Sequence, residues 1–153
     1  MKPKIARAAL TVIAAGAVMA SVTTTAHAWN ECTLAGTAGK WAFTDNGTVI
    51  GIGPRTAIGV FTLDNGQILD GKATASLNGA VTTETLLGSY TVNANCTGAG
   101  TATIYESGTP ILNLKLKLSF DDDMSEMRGI FSSAATPNGT VLQTVINLQA
   151  RKQ

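Results

Sequence analysis

The side chains that could do chemistry in this sequence are carboxylates, tyrosines and arginines rather than histidines. The only histidine, His27, lies in a stretch that we expect to be removed on export. Without it, the mature chain cannot use a Ser-His-Asp triad, a Cys-His nucleophile or a histidine-ligated zinc. Acid–base chemistry would instead need carboxyl or phenol groups whose pKa is shifted by burial. The candidates in or beside the predicted strands are Arg55, Glu84, Tyr90, Tyr105, Glu106 and Arg128.

Spacing alone pairs no two of these candidates, so the sequence leaves catalysis undecided and favours a role without it. One glycine-rich stretch, Gly51-Ile52-Gly53-Pro54-Arg55, resembles part of a dinucleotide fingerprint. Its third glycine is missing, however, and no strand-to-helix unit surrounds it. We therefore interpret this stretch as a turn or loop and expect no cofactor.

An acidic cluster is the one candidate for a metal site. Asp121, Asp122, Asp123 and Glu126 place four carboxylates within six residues, which is enough oxygen for a surface calcium ion if the loop wraps around it. The cluster does not match a dedicated calcium-binding loop. We favour an acidic hairpin loop that keeps the end of an apolar strand soluble, and we predict no metal.

The start of the chain has the pattern of a signal peptide. Three basic residues precede an apolar run over residues 8–22, and Ala26-His27-Ala28 gives a small-x-small cleavage pattern. The run is too short for a membrane span. We predict a signal peptide at residues 1–28 and one domain at 29–153. The protein would then be exported, to the periplasm or beyond, without a membrane span in its mature form.

Cleavage at this point changes the charge balance of the protein. The signal peptide contains three of the 11 basic side chains and none of the ten acidic ones, so the formal net charge falls from +1 to about −2. Nucleic-acid-binding domains usually present a strongly basic surface. The mature chain is therefore not expected to bind nucleic acid.

The two cysteines, Cys32 and Cys96, both lie in the predicted mature domain. An even pair in a small exported chain is most simply explained as one disulfide. A redox or metal-binding pair normally has close spacing such as C-x-x-C, which is absent here. We predict a Cys32–Cys96 bridge, which would stabilise the fold by roughly 4 kcal/mol on the chain-entropy model.

Strand patterns cover nearly all of the mature sequence. In the clearest strand, Leu112, Leu114, Leu116, Leu118 and Phe120 alternate with polar residues, which predicts one buried and one wet face. We predict strands near residues 40–45, 56–64, 67–77, 80–94, 99–106, 111–120, 126–134 and 139–150. About eight antiparallel strands in a meander, with no room for crossover helices, favour an all-β fold that is a closed or nearly closed barrel. The alternative is a β-sandwich.

Turn signals separate these strands. Asparagine or aspartate before glycine tolerates the positive φ of tight hairpin turns. Predicted reversals lie at Asp45-Asn46-Gly47, Asp64-Asn65-Gly66, Asn78-Gly79, Ser107-Gly108, Asp121-Asp122-Asp123 and Pro137-Asn138-Gly139.

Two predicted strands are apolar on both faces. Ile58 and Val60 alternate with apolar residues that are expected to face the core. In the last predicted strand, Val141 and Val145 alternate with apolar residues in the same way. These strands suggest a second covered surface, with a loop, the N-terminal segment or another subunit as the cover. Oligomerisation is therefore open.

Several blocks resemble a family of small exported bacterial β-barrel proteins of unassigned function. They are Cys32-Thr33 with Ala35-Gly36-Thr37, Phe61-Thr62-Leu63-Asp64-Asn65-Gly66, and Gly88-Ser89-Tyr90-Thr91-Val92-Asn93-Ala94-Asn95-Cys96-Thr97-Gly98. Further matches are Ala57-Ile58-Gly59, Leu77-Asn78-Gly79 and Ala150-Arg151-Lys152-Gln153. The resemblance implies a barrel of the calycin or allene-oxide-cyclase type and supports the disulfide. It carries over no catalytic residue.

Three functions are compatible with these patterns. The first is binding of one small, mostly apolar ligand inside the barrel, with the aromatic residues of the strands as its lining. The second is a cofactor-free cyclase or isomerase that holds a flexible substrate in a reactive conformation. The third is a structural or surface-interaction protein with a filled interior. The predicted ligand-lining residues are Trp41, Phe43, Phe61, Tyr90 and Phe131.

Overall fold

The structure, a computed structural model, describes residues 31–153, and its strands form a closed antiparallel barrel. The predicted signal peptide, residues 1–28, lies outside the described residues. The elements are helix α1 (Leu34–Thr37) and strands β1 (Gly39–Val49), β2 (Gly53–Asp64), β3 (Gln67–Leu77), β4 (Ala80–Val92), β5 (Thr97–Glu106), β6 (Thr109–Phe120), β7 (Glu126–Ala135), β8 (Val141–Leu142) and β9 (Thr144–Lys152). No helix among these residues is long and apolar enough to cross a membrane.

Consecutive strands pair in a meander, and the sheet closes on itself. Strands β1 to β7 each pair with the next, β9 pairs with β7, and β9 also pairs with β1, which completes a ring of eight strands. The short strand β8 pairs only with the end of β7. The prediction of an eight-stranded antiparallel barrel is confirmed. Closure also leaves no edge of the ring with unpaired backbone groups.

The alternation in β6 places its leucines as predicted. Leu114, Leu116 and Leu118 are buried in the barrel interior, whereas Lys115 and Lys117 between them are exposed. Side chains of period two along a strand must point to opposite faces of the sheet. In a closed barrel those two faces are the interior and the solvent.

One predicted turn is wrong. Asp45-Asn46-Gly47 lies within β1, which continues to Val49, and the chain reverses at residues 50–52 instead. Asp45 is buried on the inner face because it has a charged partner there. A side chain at Gly47 would overlap the backbone carbonyl of Val145 in β9, so this glycine allows a close strand approach rather than a turn.

Helix α1 lies across one end of the barrel. The Thr33 hydroxyl caps it by accepting a hydrogen bond from the Gly36 N–H. The Thr37 hydroxyl is 3.0 Å from the Tyr90 hydroxyl in β4, and Lys152 Nζ in β9 donates to the Gly36 carbonyl. Contacts from α1 to strands on different sides of the ring show that it covers this end.

The disulfide fixes the same end. Cys32 and Cys96 are bonded, and their Cα atoms are 4.9 Å apart. Cys32 lies two residues before the first residue of α1, and Cys96 lies in the turn between β4 and β5. The predicted bridge is confirmed, and it ties the N-terminal segment to the barrel end that α1 covers.

Aliphatic side chains on the outer face are not covered by any part of residues 31–153. Ile58 is 62 % exposed and Val145 is 72 % exposed. Val60 and Val141 are also exposed. The predicted second covered surface is therefore not formed by a loop of the described chain.

Candidate functional site

The barrel interior contains a cavity of about 60 Å³ of space in which a water-sized sphere can be centred. One water molecule needs about 10–15 Å³ on this measure, so the cavity can hold more than a single water. Pockets for drug-sized ligands are usually about 300–1,000 Å³. The cavity is therefore several times smaller than such a pocket, and a ligand of more than a few heavy atoms requires the surrounding side chains to move.

Small residues in β5 create this space. Gly100 and Ala102 both lie in the cavity wall. Gly100 is paired with Tyr90 on one side and Leu116 on the other, and these side chains supply the bulk that β5 lacks. Alternating small and large residues around a narrow barrel leave a gap on the side of the small ones.

Four of the five predicted aromatic residues line the cavity. They are Phe43, Phe61, Tyr90 and Phe131. The Phe43 and Phe61 rings are neighbours, with centroids 5.4 Å apart. The fifth, Trp41, lies beneath α1, donates its indole N–H to the Thr37 carbonyl and packs edge-on against Phe120. Its contacts belong to the covered end of the barrel rather than to the cavity.

A buried charge cluster forms part of the cavity wall, and we call it the Arg55 triad. Arg55 Nη1 and Nη2 donate to both carboxylate oxygens of Glu84 at 2.9 and 2.8 Å. Arg55 Nη2 also reaches Asp45 Oδ2 at 3.4 Å. All three residues are at most 7 % exposed. The bidentate pair between Arg55 and Glu84 is the stronger contact, because two parallel charge-assisted hydrogen bonds fix its geometry.

The Arg55 triad contains two carboxylates and one guanidinium, and the pKa values of Asp45 and Arg55 are shifted. Burial raises the pKa of Asp45, and the positive charge of Arg55 opposes this rise without cancelling it. Burial by itself lowers the pKa of Arg55, but the hydrogen bonds from Arg55 to Glu84 and the nearby carboxylates outweigh it and raise that pKa. Arg55 therefore stays charged, whereas Asp45 takes up a proton more readily than a free aspartate does.

Two polar atoms of the triad have no hydrogen-bond partner among residues 31–153. They are Asp45 Oδ1 and Arg55 Nε. The Ala57 backbone N–H lowers the pKa of Asp45 as a hydrogen-bond donor to its carboxyl group, although it does not meet Oδ1 in hydrogen-bond geometry. Buried polar atoms in folded proteins nearly always have partners, because an unpaired one costs about 1–3 kcal/mol. Both residues face a cavity that is otherwise almost entirely apolar.

The structure thus brings three of the six sequence candidates for chemistry to the wall of one cavity. Arg55 and Glu84 are in direct contact, and Tyr90 lines the same cavity without touching them through a hydrogen bond. Tyr105 and Glu106 are half-buried at the far end of β5. Arg128 is exposed on β7. The sequence did not identify Asp45 as a site residue, because Asp45-Asn46-Gly47 has the pattern of a turn.

The acidic loop uses its carboxylates internally. Asp121 accepts hydrogen bonds from the backbone N–H groups of Ser125 and Glu126 and from the Ser125 hydroxyl. The Asp123 carboxylate also accepts from Ser125, and this hydrogen bonding lowers the pKa of Asp123. Nowhere in residues 31–153 do three or more metal-ligating side chains form a group that could hold an ion.

Comparisons with known proteins identify the fold alone. No family model matches the sequence, and no curated protein matches it. A redesigned β-barrel, mFAP1, solved bound to DFHBI, is similar with a TM-score of 0.51 at 15 % identity, over 78 % of this chain and 98 % of that one. The EF1p2_mFAP2b barrel, also bound to DFHBI, gives a TM-score of 0.55 at 13 % identity, over 78 % and 95 %. This chain therefore has the fold of small antiparallel β-barrels.

Proposed function

We propose that this protein is an exported barrel that binds one small, mostly apolar molecule in its interior. The observation that carries the proposal is the cavity beside Gly100 and Ala102, whose wall is aromatic and aliphatic apart from the Arg55 triad. A few polar groups in an apolar pocket are typical of ligand sites, because the apolar wall supplies affinity and the polar groups orient the ligand. The size of the cavity favours a ligand with few heavy atoms.

Two further observations support this proposal. The similar barrels mFAP1 and EF1p2_mFAP2b were solved bound to DFHBI, so this architecture can hold a small molecule. The Cys32–Cys96 bridge is a bond that persists in oxidising compartments, which agrees with export after removal of residues 1–28. The sequence resemblance to small exported bacterial proteins agrees with the same location.

The test is a titration of the folded, oxidised protein with toluene, followed by NMR chemical shifts of the cavity residues. We expect saturable binding of about one equivalent, accompanied by movement of the cavity side chains, because toluene is larger than the cavity as it stands. Ala102→Leu should fill the cavity and abolish binding, because Ala102 faces the cavity. The matched control is Thr101→Leu, since Thr101 is the exposed neighbour on the same strand. Circular dichroism would confirm that both variants fold; absence of toluene binding by the wild-type protein would contradict the proposal.

A cofactor-free barrel enzyme is the second candidate, and the Arg55 triad is the observation that favours it. A buried carboxyl with a raised pKa, such as Asp45, is a usual feature of acid–base sites. The deciding experiment is mass spectrometry of a molecule that copurifies with the protein. Conversion of that molecule by wild-type protein but not by Asp45→Asn would favour the enzyme, whereas recovery unchanged from both would favour simple binding.

A surface-interaction role is the third candidate, since aliphatic residues such as Ile58 and Val145 are exposed on the outer wall. Exposed apolar patches often mark interaction sites. Analytical ultracentrifugation over a concentration series distinguishes self-association from a monomer. Dissociation of any oligomer by Ile58→Lys would place the contact on this wall.

A further inference from the structure

The Arg55 triad defines what kind of polar group the ligand carries. We infer that the cavity selects a neutral molecule with an apolar body and one hydroxyl group, and that this hydroxyl bridges Asp45 Oδ1 and Arg55 Nε. This inference rests on the proposed binding function and adds the chemical class of the ligand.

The first step of the argument is the pattern of donors and acceptors. Arg55 Nε–H is a donor, and Asp45 Oδ1 is a carboxylate acceptor; neither has a partner among the described residues. A group that serves both must accept one hydrogen bond and donate another. An alcohol or phenol hydroxyl does this with a single oxygen atom.

The second step is the charge of the site. Arg55 is already engaged by Glu84 through two hydrogen bonds, and Asp45 adds a second carboxylate. A carboxylate or phosphate on the ligand would therefore meet two negative charges with only one positive charge beside them, in a setting where water screens poorly. An anionic ligand is disfavoured, and a neutral polar group is preferred.

The third step is the surroundings of the two unpaired atoms. Asp45 and Arg55 are 3 % and 7 % exposed, so bulk water does not satisfy them. The other cavity residues near the triad, such as Leu86, Ile104 and Leu114, offer no polar atoms in their side chains. The polar end of the molecule is thus confined to the triad, and its apolar body lies against the rest of the wall.

The experiment compares phenol with toluene, which have nearly the same shape and differ by hydroxyl against methyl. Each is titrated against wild-type protein and Asp45→Asn, with binding measured by NMR chemical shifts. We expect Asp45→Asn to weaken phenol binding about fivefold and to leave toluene binding unchanged, because a charge-assisted hydrogen bond is replaced by a weaker neutral one. Asp45→Leu, whose side chain is also branched at Cγ, should weaken phenol binding further.

The matched control is Thr44→Ala, because Thr44 precedes Asp45 in β1 and faces solvent. This variant should bind both probes as the wild-type protein does. If either Asp45 variant folds and binds phenol and toluene with unchanged affinities, the hydroxyl inference is overturned while apolar binding stands. If neither probe binds the wild-type protein, the binding function itself fails, so the two failures are distinguishable.

Discussion

At the scale of single residues, the inner face of β6 depends on close packing. Leu116 is 7 % exposed, and Lys115 beside it is exposed. We expect Leu116→Ala to lower the free energy of unfolding by about 2–5 kcal/mol, because it removes buried methyl groups next to an existing cavity. Lys115→Ala should be nearly neutral. Urea denaturation of both variants measures the difference, and equal effects would contradict the register of β6.

Asp45 gives the stability of the protein a pH dependence. Its pKa is raised in the folded state, so the folded protein holds this proton more tightly than the unfolded chain does. Its contribution is therefore most favourable below the unfolded pKa of about 3.9 and is lost as pH rises through the folded pKa. Asp45→Asn cannot ionise. We expect the stability of this variant relative to wild type to increase as pH rises above about 4.

Chemical denaturation of wild type and Asp45→Asn at several pH values tests this expectation. Thr44→Ala is the control, since it leaves all charges in place and should follow wild type at every pH. A stability difference between Asp45→Asn and wild type that stays constant from acid to neutral pH would show that Asp45 titrates alike in the folded and unfolded states.

At the scale of secondary-structure elements, barrel closure depends on the contact between β1 and β9. Gly47 has no room for a Cβ atom there, because the Val145 carbonyl occupies that position. We expect Gly47→Ala to destabilise the protein markedly through loss of pairing between these strands. Gly100→Ala is the matched control, since the nearest atom to its added methyl would be 3.4 Å away. Thermal unfolding of both variants measures the contrast, and equal melting temperatures would count against the described closure.

The disulfide acts on the element that covers one barrel end. It closes a loop with a sequence separation of 64, so its removal should cost roughly 4 kcal/mol by increasing the entropy of the unfolded chain. We predict this loss for the double variant Cys32→Ser, Cys96→Ser. Urea denaturation of the oxidised protein and the variant measures it. An unchanged midpoint would mean that the bridge does not constrain the unfolded chain.

At the scale of the whole molecule, both cleavage of the signal peptide and formation of the disulfide lower the mass of the protein. We expect the mature protein to begin at Trp29 and to lack two hydrogens because of the Cys32–Cys96 bond. Intact mass spectrometry of protein purified from its native host, with and without reduction, measures both. A mass that includes residues 1–28 would rule out the predicted cleavage, and two free thiols would rule out the bridge in that host.

The sequence by itself determined the all-β class, most strand positions and the disulfide. These properties depend on local patterns: alternation of period two, turn residues that tolerate positive φ, and an even number of cysteines. The strand at residues 111–120 illustrates this, since its leucines stand at alternate positions and these positions face the barrel interior. The same local rules failed at Asp45-Asn46-Gly47, where an ion pair and a close strand contact outweighed the turn preference.

Only the tertiary structure decided where the functional groups meet. Asp45, Arg55 and Glu84 belong to β1, β2 and β4, and their Cα register is set by hydrogen bonds between strands rather than by spacing along the chain. The cavity likewise arises from Gly100 and Ala102 in β5 facing residues that are distant in sequence. Ring closure brings these side chains together, because it fixes which inner faces oppose each other across the barrel.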